Sequence, residues 1–73
     1  MNDSKFLEKF PFIIVKDCGE SGWWYEGADA TLEAASRTLF YSAKNSSVKM
    51  MKIVHVTSQK DLDDLRAYVH NVE

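Results

Sequence analysis

The sequence predicts an α+β fold, a two-layer sandwich in which two helices cover one face of a three-stranded sheet. Three observations lead to this prediction. Two short segments in the first half of the chain and one in the second half are rich in β-branched and aromatic residues. In two other segments, apolar residues recur about every 3.6 residues, as in an amphipathic helix. The chain has 73 residues, of which 45% are hydrophobic and 27% charged, so we expect residues 1–73 to form a single small α+β domain.

The first predicted elements are a short N-terminal helix and a β-hairpin. The helix ends before Pro11, because the residue that precedes a proline avoids helical dihedral angles. Residues 12–15 are apolar without alternation, which indicates a strand in the centre of its sheet. Turn-forming residues at 19–22 lead into the aromatic stretch 23–26. The two strands are therefore expected to pair as a hairpin.

A central helix, a third strand and a closing helix complete the predicted elements. The central helix begins near Thr31, and residues 48–56 form the third strand. Ser58 has capping-box spacing to Asp61, which indicates the start of the closing helix. The apolar stripe of the central helix is predicted to contain Leu32, Ala35, Leu39 and Ala43, with Phe40 beside it, and that of the closing helix Leu62, Leu65, Val69 and Val72.

The order of these elements predicts the topology of the sheet. A hairpin whose second strand connects through a helix to the third strand makes the second and third strands parallel. The first strand then lies between them and is antiparallel to both, so the predicted strand order is 2-1-3 with the second strand at an edge. With two helices on one face and a short N-terminal helix, the opposite face of the sheet is expected to stay open to water or to a partner.

Charge, cysteine content and hydropathy exclude several classes of protein. Nine Lys and Arg against eleven Asp and Glu leave a net charge of −2, which provides no general attraction for nucleic-acid phosphates. The single cysteine, Cys18, has no partner for an internal disulfide, which is typical of a reducing compartment. The sequence holds no apolar stretch of the roughly 18 residues that a membrane span needs, and it begins without the apolar core of a signal peptide. We therefore expect a cytoplasmic protein with no membrane contact.

The sequence predicts no catalytic residue, no metal site and no cofactor. A nucleophile and base formed by Cys18 with His55 or His70 would lack a third orienting group, so a small enzyme is the disfavoured alternative. The acidic residues within 61–64 lie at a predicted helix start, where they stabilise the helix dipole. The three glycines match neither nucleotide-binding fingerprint. We expect a protein that is not an enzyme.

The aromatic run at 23–25 indicates a surface for another protein. Successive side chains of a strand point to opposite faces, so at least one of these large rings lies outside the main core. Aromatic residues dominate protein-binding hot spots, and an edge strand can pair with another chain. Cover by the apolar residues of the N-terminal segment is the other interpretation of these rings. The predicted partner-binding residues are Trp23, Trp24, Tyr25, Glu20, Glu26 and Met50.

The charges are sorted along the chain, which fits the same hypothesis. Ionised residues from Asp17 to Ser36 are all negative, and those from Arg37 to Lys60 are all positive. Such a pattern provides electrostatic complementarity for a protein partner, or pairs within the molecule on a solvated surface. We interpret the chain as a small non-enzymatic protein-binding module, an inhibitor or modulator that occupies a surface of a host or cellular protein complex. Phage anti-defence inhibitors are an analogy in size only.

Two alternatives stay open from the residues alone. A nucleic-acid-binding module would use a basic patch of Lys44, Lys49 and Lys52 together with the aromatic residues of the sheet. A homodimer in which the edges of the second or third strand pair is compatible with the main hypothesis. Such pairing would add buried surface to a chain whose own core is small.

Overall fold

The structure, a computed structural model, describes residues 3–44 and 50–72. A single turn of 3-10 helix at Gly19–Ser21 connects the first two strands. The chain follows the predicted sequence of helices and strands as far as the last helix. In chain order the elements are α1 (Asp3–Lys9), β1 (Phe12–Asp17), β2 (Trp23–Asp29), α2 (Leu32–Lys44), β3 (Met50–His55), α3 (Gln59–Arg66) and β4 (Val69–His70).

Within the described residues, the strands form one four-stranded mixed sheet in the order β3-β1-β2-β4. β1 is antiparallel to both β2 and β3, and β4 is parallel to β2. The α+β class and the relative order of the first three strands are confirmed. The prediction of three strands is wrong, because the apolar spacing that suggested a longer closing helix belongs in part to β4. Strand pairing at this position satisfies backbone groups that an uncovered β2 would expose.

Because of β4, the start of β2 is not an edge of the sheet. Trp23 is aligned with Val69 and Trp24 with His70 in the parallel ladder. The prediction that β2 is an edge strand is therefore wrong at the two tryptophans. A partner cannot add a strand there without displacing β4.

A β-bulge at Glu26 decides which residues of β2 share a face. Ile14 is aligned with Gly27, whereas Val15 is aligned with Tyr25, so Glu26 is the extra residue. The extra residue shifts the alternation of side chains by one position. Tyr25 and Ala28 consequently lie on the same face of the sheet, and both pack against the main core.

The main core lies on the face of the sheet that carries Ile13 and Val15. These two side chains are fully buried against residues of α1, α3 and β4. We call this side of the sheet the α3 face. The buried residues of the cluster are Leu7, Ile13, Val15, Val56, Leu62, Leu65 and Val69.

The opposite face of the sheet is covered by α2, and we call it the α2 face. Ile14 points away from Ile13 and Val15, is 0% exposed, and does not belong to the main cluster. α2 contacts β1, β2 and β3, and its residue Ala35 is also fully buried. The prediction that both helices lie on one face and leave the other open is wrong. The sheet carries helices on both faces, and the apolar run in β1 is continuous because both of its sides are buried.

α2 packs through a narrower stripe than its apolar spacing predicted. Ala35 is buried and Leu39 half-buried, whereas Leu32 and Ala43 are exposed. Phe40 is exposed as well. The small side chain of Ala35 allows the helix to approach the sheet closely, and the larger apolar residues lie at its flank and on its outer side.

α3 begins with a reciprocal cap of the predicted kind. Ser58 is the N-cap, and its Oγ accepts a hydrogen bond of 3.2 Å from the backbone N–H of Asp61. Asp61 Oδ2 accepts hydrogen bonds from the backbone N–H of Thr57 at 3.2 Å and from its hydroxyl at 3.0 Å. The carboxylate therefore reaches one residue further back than in a standard capping box, where it would bind the N-cap residue itself.

This cap predicts a loss of stability in acid. The hydrogen bonds that Thr57 donates, first from its backbone and then from its side chain, hold the pKa of Asp61 below its ordinary value of 3.8. The stabilisation is present above the unfolded pKa and is lost as the pH falls through the lower, folded pKa. Urea denaturation of wild type and Asp61→Asn at neutral pH and near pH 3 tests this. The difference in free energy of unfolding between wild type and Asp61→Asn should be smaller near pH 3 than at neutral pH. An equal difference at both pH values would argue against the cap.

Candidate functional site

The structure separates the predicted aromatic site into two halves on opposite faces of the sheet. Trp23 and Tyr25 lie on the α3 face and pack, half-buried, against the main core. That core includes Leu7 of α1, so the N-terminal segment packs in the same cluster as these two rings. Trp24 points to the α2 face, in register with Lys16. The three rings therefore do not form one continuous aromatic surface.

On the α2 face, Trp24 and Glu26 make contacts within the protein. Trp24 Nε1 donates a hydrogen bond of 2.9 Å to the carbonyl oxygen of Ser21, and its ring lies 4.9 Å from the ring of His70. Trp24 thereby links the turn after β1 to β4. The carboxylate of Glu26 lies 3.1 Å from the ammonium group of Lys16, with both side chains partly exposed. Both side chains therefore make their contacts within the fold itself.

On the α3 face, Met50 and Trp23 lie in one row across three strands. Asp17 of β1 is aligned with Met50 on one side and with Trp23 on the other. Met50 is 57% exposed, whereas Trp23 is half-buried. The predicted residue Glu20 lies in the exposed turn between Asp17 and Trp23, at the same end of the sheet. Three of the predicted residues are thus close to one another along this end.

The ammonium group of Lys52 joins this row to Tyr68. Lys52 lies two residues after Met50 in β3, and therefore on the same face. Its Nζ lies 4.7 Å from the centre of the Trp23 ring and 5.1 Å from the centre of the Tyr68 ring. Tyr68 is 42% exposed. We call these four residues, Trp23, Met50, Lys52 and Tyr68, the Trp23 surface.

The Trp23 surface combines a fixed cation with exposed apolar groups. A lysine ammonium within about 6 Å of an aromatic centroid is attracted by the ring quadrupole, and here two rings attract the same ammonium group. The long side chain of Lys52 is thereby restricted. A partner that covers Met50 and Tyr68 meets a lysine whose position is already held, which lowers the entropy lost on binding.

Sequence reasoning missed two residues of this surface. Lys52 was assigned to a basic patch with Lys44 and Lys49, although its even spacing from Met50 along a strand was a signal for a shared face. Lys49 lies outside the described residues. Tyr68 gave no such signal, because its position was predicted to lie inside the closing helix.

The two histidines considered for catalysis are engaged in ring contacts, and Cys18 directly follows Asp17 at the end of β1. Cys18 is exposed. The ring of His55 stacks on Phe12 with centroids 4.4 Å apart, and His70 contacts Trp24. Across residues 3–44 and 50–72, the structure brings together no group of three or more His, Cys, Asp or Glu residues that can hold a metal ion.

Comparison with known proteins does not identify this chain. No protein-family profile matches it, and no curated protein and no solved structure resembles it closely enough to count as a match. In the part of the chain that the structure describes, every helix is too short or too polar to cross a membrane.

Proposed function

We propose that this protein is a non-catalytic protein-binding module that acts by covering part of the surface of another protein. The observation that carries the proposal is the Lys52 ammonium group held between the rings of Trp23 and Tyr68, with Met50 exposed beside it. The binding residues in this proposal are those of the Trp23 surface. Glu20 contributes to its polar rim.

The composition of the Trp23 surface favours a protein partner. Trp and Tyr are enriched among residues that dominate binding energy, and Met and aromatic residues are enriched at interfaces. Burial of the exposed parts of Met50 and Tyr68 supplies apolar contact area. The ammonium group of Lys52 then requires an acceptor, so the expected partner surface is apolar with a carboxylate or carbonyl oxygen opposite Lys52.

A role as inhibitor or modulator follows from the mode of action that we propose. A small binding domain affects a larger protein chiefly by occupying a site that another molecule needs. Trp24, Glu26 and Tyr25 were also predicted to bind the partner. In this proposal Trp24 and Glu26 stabilise the fold instead, and Tyr25 packs against the core. The proposed binding residues are thus no longer the stretch 23–25 but a surface built by β2, β3 and the segment after α3.

Quantitative affinity purification tests the proposal with matched pairs of variants. The tagged wild type is compared with Tyr68→Leu and Lys52→Met, both in the Trp23 surface. The controls are Tyr41→Leu and Lys60→Met, in α2 and α3, where the same substitutions are made at exposed positions. Each lysate is divided and one half is treated with nuclease.

We expect one protein to co-purify in a fixed ratio with the wild type and both controls, and to be reduced at least tenfold with Tyr68→Leu, which corresponds to about 1.4 kcal/mol. Thermal melts show whether each variant is folded. Equal recovery with Tyr68→Leu, Lys52→Met and the wild type would contradict the proposal. Recovery that depends on nucleic acid would favour the basic-patch alternative instead.

A further inference from the structure

α2 presents an outward stripe that the sheet does not use. Four of its residues follow one another at intervals of four, three and four positions, so they share one side of the helix. All four are exposed, and they lie opposite the buried Ala35. In chain order they are Glu33, Arg37, Phe40 and Lys44. We call this set the α2 stripe.

Large apolar side chains are concentrated on and beside the α2 stripe. Phe40 and Tyr41 are each 66% exposed and Leu32 is 56% exposed. The rings of Phe40 and Tyr41 are in edge-to-face contact, with centroids 6.5 Å apart. Single exposed apolar residues are ordinary on protein surfaces. Leu32 lies nine positions before Tyr41 and therefore on the opposite side of the helix, so the local apolar patch consists of Phe40 and Tyr41, a pair of the kind that marks an interaction site.

The charges of the α2 stripe are arranged so that the stripe complements itself. Its acidic residue, Glu33, is in the first turn of α2, and Lys44 is in the last turn. When a second copy of the helix lies antiparallel, with the twofold axis between residues 38 and 39, Glu33 faces Lys44 of the second copy. Arg37, which already forms an exposed ion pair with Glu33 of its own helix, then also faces the ring of Phe40 of the second copy, where a cation–π contact is favourable. A parallel arrangement would place like charges together.

We propose that α2 is the interface of a homodimer, in which the α2 helices of two copies pack antiparallel across a twofold axis. The proposal is independent of the Trp23 surface, which lies on the other face of the sheet. It is an alternative to the predicted pairing through the β2 or β3 edge, of which the start of β2 is already covered by β4. A helix of 13 residues is about 20 Å long. Its contact area is small, so we expect a dissociation constant of roughly micromolar or weaker.

Sedimentation velocity over a concentration series tests the dimer. Wild type is measured from roughly 10 µM to 1 mM beside Phe40→Ser and Tyr68→Leu. We expect the mass to rise from one copy toward two with wild type and Tyr68→Leu, and the dissociation constant to increase at least tenfold with Phe40→Ser. A wild type that stays monomeric up to the highest concentration, or a Phe40→Ser variant that dimerises as wild type does, overturns the proposal.

A charge exchange between copies tests the antiparallel arrangement itself. Glu33→Lys places two lysines opposite each other in its homodimer, and Lys44→Glu places two glutamates opposite each other. We expect each variant alone to be mostly monomeric, and an equimolar mixture to dimerise with an affinity within about threefold of wild type. Circular dichroism shows whether α2 stays helical, because both substitutions oppose the helix dipole. If the mixture dimerises no more tightly than either variant alone, the antiparallel pairing is overturned. If either variant is unfolded, Phe40→Ser still tests the α2 surface.

Discussion

Replacement of Ile14 with alanine is expected to lower the free energy of unfolding by about 2 to 5 kcal/mol. Ile14 is fully buried beneath α2, and truncation of its side chain leaves a cavity between the helix and the sheet. Ile13 is equally buried on the opposite face. We therefore expect Ile13→Ala to have a cost of the same size, measured by urea denaturation of both variants.

The stability costs of these two substitutions distinguish a sheet that is covered by helices on both faces from a two-layer sandwich with one open face. If the α2 face were open, Ile14→Ala would be close to neutral while Ile13→Ala remained costly. Small domains are often only marginally stable, so a variant that is unfolded in buffer is replaced by the conservative Ile14→Val, for which about 0.5 to 1.5 kcal/mol is expected. A cost near zero for Ile14→Val and a cost in that range for Ile13→Val would show that α2 does not cover β1.

Urea denaturation is also expected to show different losses of stability when the two adjacent tryptophans are replaced with alanine. Trp23→Ala should lower the free energy of unfolding by about 3 kcal/mol, the lower end of the range for a buried tryptophan, because Trp23 is half-buried against the main core. Trp24→Ala removes one hydrogen bond to Ser21 and one ring contact with His70. Its expected cost is about 1 to 2 kcal/mol.

Their local consequences should also differ. Loss of Trp24 should weaken the attachment of β4, and amide hydrogen exchange at His70 should accelerate more than exchange in β1. Trp24→Phe keeps a ring beside His70 and removes only the indole donor, so it serves as the control. A larger loss of stability with Trp24→Ala than with Trp23→Ala would contradict the assignment of Trp23 to the core face.

The local elements of this fold are predictable from sequence because their signals are short in range. The proline at position 11, the turn residues at 19–22 and the cap at Ser58 each act within a few residues. The continuous apolar run in β1 correctly indicated a central strand. These features depend on backbone preferences and spacing, which the sequence displays directly.

The errors arise where the same spacing of apolar residues is compatible with either a helix or a strand. Val69 and Val72 continue the helical period of α3, yet Val69 belongs to β4 and fills the core. Val69 and His70 form a strand because they pair with backbone groups of β2, which lie far away in sequence. Because β4 was missed, the ring of Tyr68 could not be placed beside Lys52.

The faces of the sheet were mispredicted for a similar reason. Apolar residues in β1 show no alternation, so the sequence pattern is compatible with cover on both sides, but it does not tell which helix lies where. The bulge at Glu26 also exchanges the sides of the residues that follow it in β2. The candidate site consequently differs from the predicted set of partner-binding residues, although Trp23 and Met50 belong to both.

The most direct test of the proposed function is photo-crosslinking in living cells of the source. The photoreactive amino acid p-benzoylphenylalanine is placed at Tyr68 in one variant and at Tyr41 in another, two exposed tyrosine positions in different parts of the fold. We expect position 68 to give an adduct with one other protein, and position 41 to give at most an adduct of two copies of this 8.4 kDa chain. The same foreign protein at position 41 with none at position 68, or only nucleic-acid adducts, would contradict binding through the Trp23 surface.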